Sequence, residues 1–319
     1  MTRISLRILS LPLLAAMLTA CSSAAATPTA APTGTPAPAT AAAASVAAPT
    51  PTANPCDKST LTTLTAGKLT IGTDNPAYPP YFEAPTTGSA TAPWELGDPT
   101  NGQGFEAATA YAVAAKLGYA KGDVSWTVVP FDNSYKPGAK PFDIYLAQVS
   151  YTAVRAQSVD MSDGYYFVNQ AIVSLKDNPI ATAKTIADLK KYKFGAQQST
   201  TAYDTINSVI VPTAAASVYN TNDDAISALK AKQIDAIVVD LPTAFYITTG
   251  DQLANSVIVG QFPSATGADA EHFSMVLAKG SPLTKCVNTA IGALKADGTL
   301  AQITKTWLSN GGSEPVFGE

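Results

Sequence analysis

From about residue 66 onward, short apolar runs alternate with stretches of helical periodicity. KLTIGTD at 68–74 predicts a strand that ends in a polar cluster, and the loop at 75–102 carries Tyr78, Tyr81, Phe82 and Trp94. An alanine-rich segment from Gly104 to Leu117 predicts a helix, with Phe105, Ala108, Ala112 and Ala115 on one face and Gly118 as its stop. Residues 124–129 predict a second strand, NSYKPGAKP a turn-rich break, and Ile144-Tyr145-Leu146-Ala147 a buried strand. A second set begins near Val173. It comprises a short helix capped at Thr185, a strand at 193–196 feeding QQSTTA, and a strand around Val218-Tyr219. A helix at 222–231 follows, then a buried strand at 234–240 that ends on Asp240. Phe273 to Leu277 predicts one more strand, and helices at 282–296 and 298–309 close the pattern. Strands alternating with helices imply α/β lobes with largely parallel sheets.

The first 55 residues follow different rules. Arg3 and Arg7 precede an apolar core from Ile8 to Met17, which reads as a secretory signal over 1–20, too short for a stable membrane span. Its end, Leu18-Thr19-Ala20-Cys21, resembles the lipobox of bacterial lipoproteins. That resemblance implies cleavage, acylation of Cys21 and a protein anchored outside the cytoplasm; the alternative is a plain signal with a cysteine nearby. Residues 21–55 are almost entirely Ala, Thr, Pro and Ser without charge, so they cannot bury enough surface to offset chain entropy, and they read as a disordered tether.

About 260 residues remain, enough for one large or two ordinary domains. Removing the signal takes away two arginines and no acids from 20 basic and 24 acidic residues, so the net charge falls from −4 to −6. That balance argues against nucleic acid as a partner. With Cys21 assigned to lipid, Cys56 and Cys286 remain, and in an oxidising space they read as a disulfide, the alternative being two buried thiols. A single His and no paired ligand spacing argue against a metal site.

The stretch 142–155, FDIYLAQVSYTAVR, carries the most chemistry. A buried strand turns polar at Ser150 and Thr152 and ends in a lone Arg155. Hydroxyls, backbone N–H groups and a planar guanidinium delivered to one point make a receptor for a carboxylate. The plainer alternative is an edge strand leading into a helix with Arg155 on the surface.

Six phrases in series resemble the extracellular solute-binding proteins of polar amino-acid ABC importers. They are LTIGTDNPAYPPYFE, GQGFEAATAYAVAAKLG, FDIYLAQVSYTAVRAQSVDMSDGYY, FGAQQSTTA, IDAIVVDLPTA and LKADGTLAQITKTWL, which cover most of residues 66–309. The resemblance implies a two-lobe, type II periplasmic-binding-protein-like fold with a hinge of two crossover strands. One lobe would hold residues 56–172 and 263–319, the other 173–262, with ligand between them. It implies that Arg155 grips an α-carboxylate with help from backbone N–H groups at Ser150 and Thr152. Thr200 adds a donor at a helix N-terminus, and Asp240 accepts the α-ammonium. Tyr78 and Tyr81 are expected over the ligand side chain or in the core, Asp240 otherwise as a helix cap before Pro242, and Glu106 as decoration of a helix start. His272 is expected to be structural.

Several positions depart from the family's wording. Ser199 stands where Gly is frequent and Gly164 where Pro is frequent. The loop at 84–103 is longer, with Trp94 or Glu95 as potential covers of the cleft. Lys136, Lys140 and Glu95 are candidates for recognising a charged ligand side chain. The implied partners are an amino acid, a permease with its ATPase and, through Cys21, the membrane; the implied state is a monomer without cofactor. Two alternatives remain: a sensory lipoprotein whose ligand another membrane protein reads, and a dehydratase-like enzyme on the same fold. One His and the pairing of Asp240 with Arg155 weigh against the enzyme.

Overall fold

The chain order begins with β1 (Leu69–Thr73), α1 (Phe105–Lys116), β2 (Val124–Val128), α2 (Phe131–Ser134), β3 (Ile144–Tyr145), α3 (Ala153–Ser158) and β4 (Val159–Met161). It continues through β5 (Tyr166–Phe167), β6 (Gln170–Leu175), α4 (Ile186–Leu189), β7 (Phe194–Gln197), α5 (Thr201–Thr205), β8 (Ser217–Tyr219), α6 (Asn222–Lys230), β9 (Ala236–Asp240) and α7 (Leu241–Thr249). Then come β10 (Ser256–Gln261), β11 (His272–Phe273), β12 (Val276–Ala278), α8 (Thr284–Ala296) and α9 (Thr299–Trp307). This is a computed structural model describing residues 54–250, 252–263, 267, 270–308 and 314–317. The expected signal segment, Cys21 and all but the last two residues of the tether lie outside the described residues.

The strands form two five-stranded sheets, ordered β2-β1-β3-β12-β4 and β10-β6-β9-β7-β8. Each has a parallel part, β2-β1-β3 in the first and β9-β7-β8 in the second. Each also has antiparallel neighbours, β12 beside β3 and β4, and β6 beside β9 and β10. The expectation of largely parallel sheets is thus only half met. The antiparallel strands flank the two crossings, where the chain enters a sheet from the direction of the other lobe. Between the sheets, β5 and β11 pair antiparallel, His272 with Phe167 and Phe273 with Tyr166, and this short ladder is the hinge of a two-lobe α/β fold.

Burial follows the apolar pattern with one shift of register. Leu69, Ile71, Ile144 and Leu277 join Val287, Ile291 and Leu294 of α8 in the first core. Helix α1 presents Phe105, Ala107, Ala110, Val113 and Ala114 to that core, whereas Ala108, Ala112 and Ala115 are partly or fully exposed. A run of alanines has almost no hydropathy contrast, so its periodicity does not set the inward face. In the second lobe the sheet is covered on both sides. Val173, Ile237 and Val239 point to one core, and Ile172, Ala236 and Val238 to another. The single strand expected at 273–277 is two strands, one in the hinge and one in the first sheet.

Cys56 and Cys286 are joined, with Cα atoms 5.2 Å apart, tying the start of the folded chain to α8. The expected boundaries need two corrections. Strand β6 of the second sheet begins at Gln170 rather than 173. The chain end does not stay with the first lobe, because residues 314–317 return to the second sheet. The Gln261 amide donates to the Pro315 carbonyl (2.8 Å) and the Phe317 amide to the Gln261 carbonyl (2.9 Å). The Phe317 ring occupies the slot that Gly260 leaves, where an added Cβ would come within 2.4 Å of it, and lies 5.4 Å from the Phe262 ring. Truncation to Ala at this buried position is expected to cost about 3 kcal/mol, read by urea unfolding. A loss below about 1 kcal/mol would mean that the terminal strap contributes little.

Candidate functional site

The carboxyl ends of β1, β7 and β9 face one another across the hinge, the position at which open α/β sheets present polar groups to ligands. A small cavity lies there, about 50 Å³ in volume. From the first lobe it is lined by Asp74, Tyr78, Phe131, Gln148 and Arg155, and from the second by Gln197, Thr200, Asn222 and Asp240. Four of the residues expected at the site are therefore brought together: Arg155, Asp240, Thr200 and Tyr78.

Arg155 sits in the first turn of α3, whose N-cap is Thr152; the Thr152 hydroxyl accepts from the Arg155 amide (3.1 Å). The residue is 7% exposed, and its guanidinium lies over the rings of Tyr135 (4.7 Å) and Phe131 (5.5 Å). It donates to the Ser150 carbonyl of the first lobe and to the Ser199 carbonyl of the second (2.8 Å). Among the described residues it makes no ion pair. Burial pulls its pKa down, opposed chiefly by Tyr135. A cation packed against two rings, with neutral acceptors and no ion pair, is electrostatically unsatisfied, since a buried charge is costly until an opposite charge meets it.

Asp240 ends β9 and occupies the N-cap position of α7, yet its side chain makes no capping bond. It accepts instead from the Gln170 amide group (2.7 Å), which also donates to Glu271 (3.1 Å); Glu271 in turn accepts from the Ser150 hydroxyl (2.7 Å). Burial, reinforced by the neighbouring Glu271, holds the Asp240 carboxyl well above the ordinary range. Asp74, at the end of β1, is raised to about 6, again mainly by burial. One guanidinium thus shares the cavity wall with two acids, both biased toward their neutral forms.

The other expected residues have different places. Ser150 and Thr152 contribute nothing to the cavity wall: one holds Glu271, the other caps α3. Thr200 reaches the wall, but its hydroxyl donates to the Gln197 carbonyl (2.8 Å) and accepts from the Tyr203 amide (3.2 Å) as the cap of α5. Tyr81 is a core residue. It is fully buried, edge-on to Phe273 at 6.1 Å, and its hydroxyl meets that of Thr243 across the lobes at 3.1 Å. The Tyr78 hydroxyl is buried beside Asp223; burial, reinforced by the charge of Asp223, pushes it above its ordinary range.

Glu106 is more than decoration. It is fully buried, raised to about 7 by that burial, and accepts from the Gln148 amide (2.7 Å), the Gln148 side chain and the Tyr165 hydroxyl. Gln148 is held at φ 51°, so Glu106 fixes a strained residue of the cavity wall. Ser199 is also left-handed, at φ 61°, and this conformation accompanies the donation of Arg155 and Tyr135 to its carbonyl. A Cβ at Gly164 would meet the His272 ring at 2.5 Å, so the glycine there makes room for that ring. His272 stacks on Tyr151 (5.4 Å) and contacts the Ala270 carbonyl. Trp94 is buried in the first core, and neither it nor Glu95 lines the cavity. Lys136 pairs with Asp132 and Lys140 with backbone carbonyls, also away from the cavity wall. Among the described residues no cluster of three His, Cys, Asp or Glu is arranged to hold a metal.

A family model of bacterial extracellular solute-binding proteins, family 3, matches residues 86–310. The chain is 28% identical over 221 residues to the arginine-binding extracellular protein ArtP of Bacillus subtilis (strain 168), covering 68% of this chain and 82% of that protein. Among solved structures it is similar to an ancestral arginine-binding protein bound to glutamine, with 28% identity and a TM-score of 0.61 over 77% of this chain and 100% of that one. It is also similar to an ancestral amino acid-binding protein that is a precursor of cyclohexadienyl dehydratase. There the identity is 27% and the TM-score 0.59, over 76% of this chain and 95% of that one.

Proposed function

The chain belongs to the bacterial extracellular solute-binding proteins, family 3, and from that premise we propose that it captures a cationic α-amino acid between its lobes and delivers it to an ABC importer. The observation that carries this reading is the facing of Arg155 and Asp240, from opposite lobes, on one cavity that a further acid, Asp74, also lines. Arg155 takes the α-carboxylate through two parallel N–H donors and Asp240 accepts from the α-ammonium. That pairing leaves Asp74 as surplus negative charge, which favours a basic side chain over an acidic one. The arginine named for the Bacillus relative has that chemistry.

The cavity of about 50 Å³ has room for a water or two rather than for an amino acid. Entry therefore requires the lobes to part, with loss of the bonds from Arg155 and Tyr135 to the Ser199 carbonyl. Ligand then replaces those bonds with opposite charges and favours closure around itself, a population shift driven by differential affinity. The second part of the proposal is the anchor: acylation at Cys21 holds the receptor on the outer face of the cell membrane, as a monomer, within reach of the permease.

A thermal-shift screen of the full chain against the twenty amino acids tests this reading, because a ligand bound only to the folded state raises the melting temperature. Shifts confined to arginine, lysine and histidine are expected. Shifts with glutamate or aspartate alone would overturn the cationic class, and a flat screen the amino-acid reading itself.

Acidity separates binding from stability. A cationic side chain needs Asp74 ionised, so affinity should fall roughly tenfold per pH unit below about 6. The ligand-free fold has the opposite trend. Asp74 at about 6 and Glu106 at about 7 lie above their unfolded values near 4, so the folded state holds more protons between about pH 4 and 7. Their contribution to stability is fully present at the acid end of that window and is lost as pH rises through it. Calorimetric titrations and urea melts at pH 5 and 7.5 check both signs.

A further inference from the structure

A second cavity, about 370 Å³ in volume, lies between the lobes and shares no lining residue with the first. That volume falls within the range of small-molecule sites. Its walls come from four places: Pro80 and Glu83 of the loop after β1, Tyr166 of the hinge strand β5, Phe245 and Tyr246 of α7, and Trp307 at the end of α9. Four aromatic side chains therefore meet one carboxyl group.

Glu83 is held at its backbone and free at its tip. Its amide donates to the Gln103 carbonyl (3.0 Å), and its carbonyl accepts from the Asp98 amide (3.0 Å) and the Asn101 side chain (2.9 Å). Its carboxylate has no hydrogen bond or ion pair to any described residue. Burial raises its pKa. Burial, then the charge of Asp223 and lastly that of Glu83, raise the pKa of the Tyr246 hydroxyl, which accepts from the Gln252 side chain (2.9 Å). A half-buried carboxylate without a counter-charge is held at a cost that an incoming cation removes. Aromatic faces add their own attraction for a cation and a surface for its apolar body.

We propose that this cavity is a second binding site, for a small organic cation: an ammonium group placed at Glu83, carried on an aromatic or aliphatic body that lies among Tyr166, Phe245, Tyr246 and Trp307. An anion is disfavoured by Glu83, and a neutral apolar molecule leaves that carboxylate unpaired. The inference does not depend on what the first cavity binds.

Phenethylammonium chloride titrated calorimetrically into the full chain is the test, with 2-phenylethanol as the neutral control of matching shape. Saturable binding of the ammonium, at least about tenfold weaker for the alcohol and in Glu83→Gln, is the result expected. Glu83→Gln removes no hydrogen bond of the fold and relieves a partly buried charge, so its melting temperature should equal or exceed the parent's. Trp307→Leu should weaken the ammonium by a similar factor. Absence of saturable binding up to about 10 mM, the weak end of specific affinity, overturns the site. Equal affinity of Glu83→Gln also overturns it, because the cation then sits elsewhere, as does equal affinity for the alcohol.

Discussion

Replacing Arg155 with Lys should lower affinity for the amino acid by about 30- to 1,000-fold, the equivalent of about 2–4 kcal/mol, while leaving the ligand-free fold as stable as before. The guanidinium has two rings over its face and donors already directed to both lobes, so its plane is set before ligand arrives. A carboxylate then meets a fork whose orientation costs little further entropy. Lysine keeps the charge but offers a point donor on a flexible stem, and two parallel bonds become one. A merely structural Arg155 predicts the reverse, since sealing the lobes through the Ser199 carbonyl would make the substitution cost stability and spare affinity. Arg155→Met sharpens the contrast. Removing a buried cation without an ion pair is expected to be neutral or stabilising for the empty fold, yet to abolish measurable binding. Calorimetric titration beside urea unfolding decides between the two roles, and unchanged affinity in Arg155→Lys moves the carboxylate site elsewhere.

Arg155 and Asp240 were legible because each stands where a local pattern breaks: a strand that turns polar, and an apolar run that ends on an acid. Such breaks mark the end of a strand, and the ends of parallel strands are where α/β sheets place their polar groups. The residues that hold them were not legible, because their partners are remote in the chain. Glu106 fixes Gln148 across 42 positions and Gln170 joins Asp240 across 70. Nothing local distinguishes such an acid from one on a solvated helix start. Glu271 lies on a crossing, where neither helical nor strand periodicity applies. Asp74 was visible only as part of a polar cluster after β1, and its importance follows from a burial that no local pattern encodes. The return of Phe317 to the second sheet depends on the absent side chain of Gly260, a fit between two surfaces rather than a run of residues. For Tyr81 the sequence left both a ligand contact and a core position open, and the structure puts it in the core. An aromatic in a long loop is as easily a core residue as a ligand contact, and here its hydroxyl reaches Thr243.

Asp240→Ala should reduce affinity for a zwitterionic ligand by about 100-fold or more without loss of thermal stability. A carboxylate that burial and Glu271 push well above its ordinary pKa is a strained element of the empty protein, and removing it relieves like-charge repulsion. It caps nothing, so α7 keeps its start, and Gln170, though it loses this acceptor, keeps the hydrogen bond it already donates to Glu271. The ligand's ammonium loses its charge-assisted acceptor and, if it still binds, is buried without a partner. The desamino analogue of the same ligand isolates that term. Wild-type protein should reject the analogue strongly, because Asp240 is then left unpaired, whereas Asp240→Ala should bind amino acid and analogue within a few-fold of each other. The four affinities form a cycle whose coupling energy belongs to the ammonium–carboxylate pair alone. A coupling near zero, with the fold intact, removes Asp240 from the site and leaves Asp74 as the acid that meets the amine.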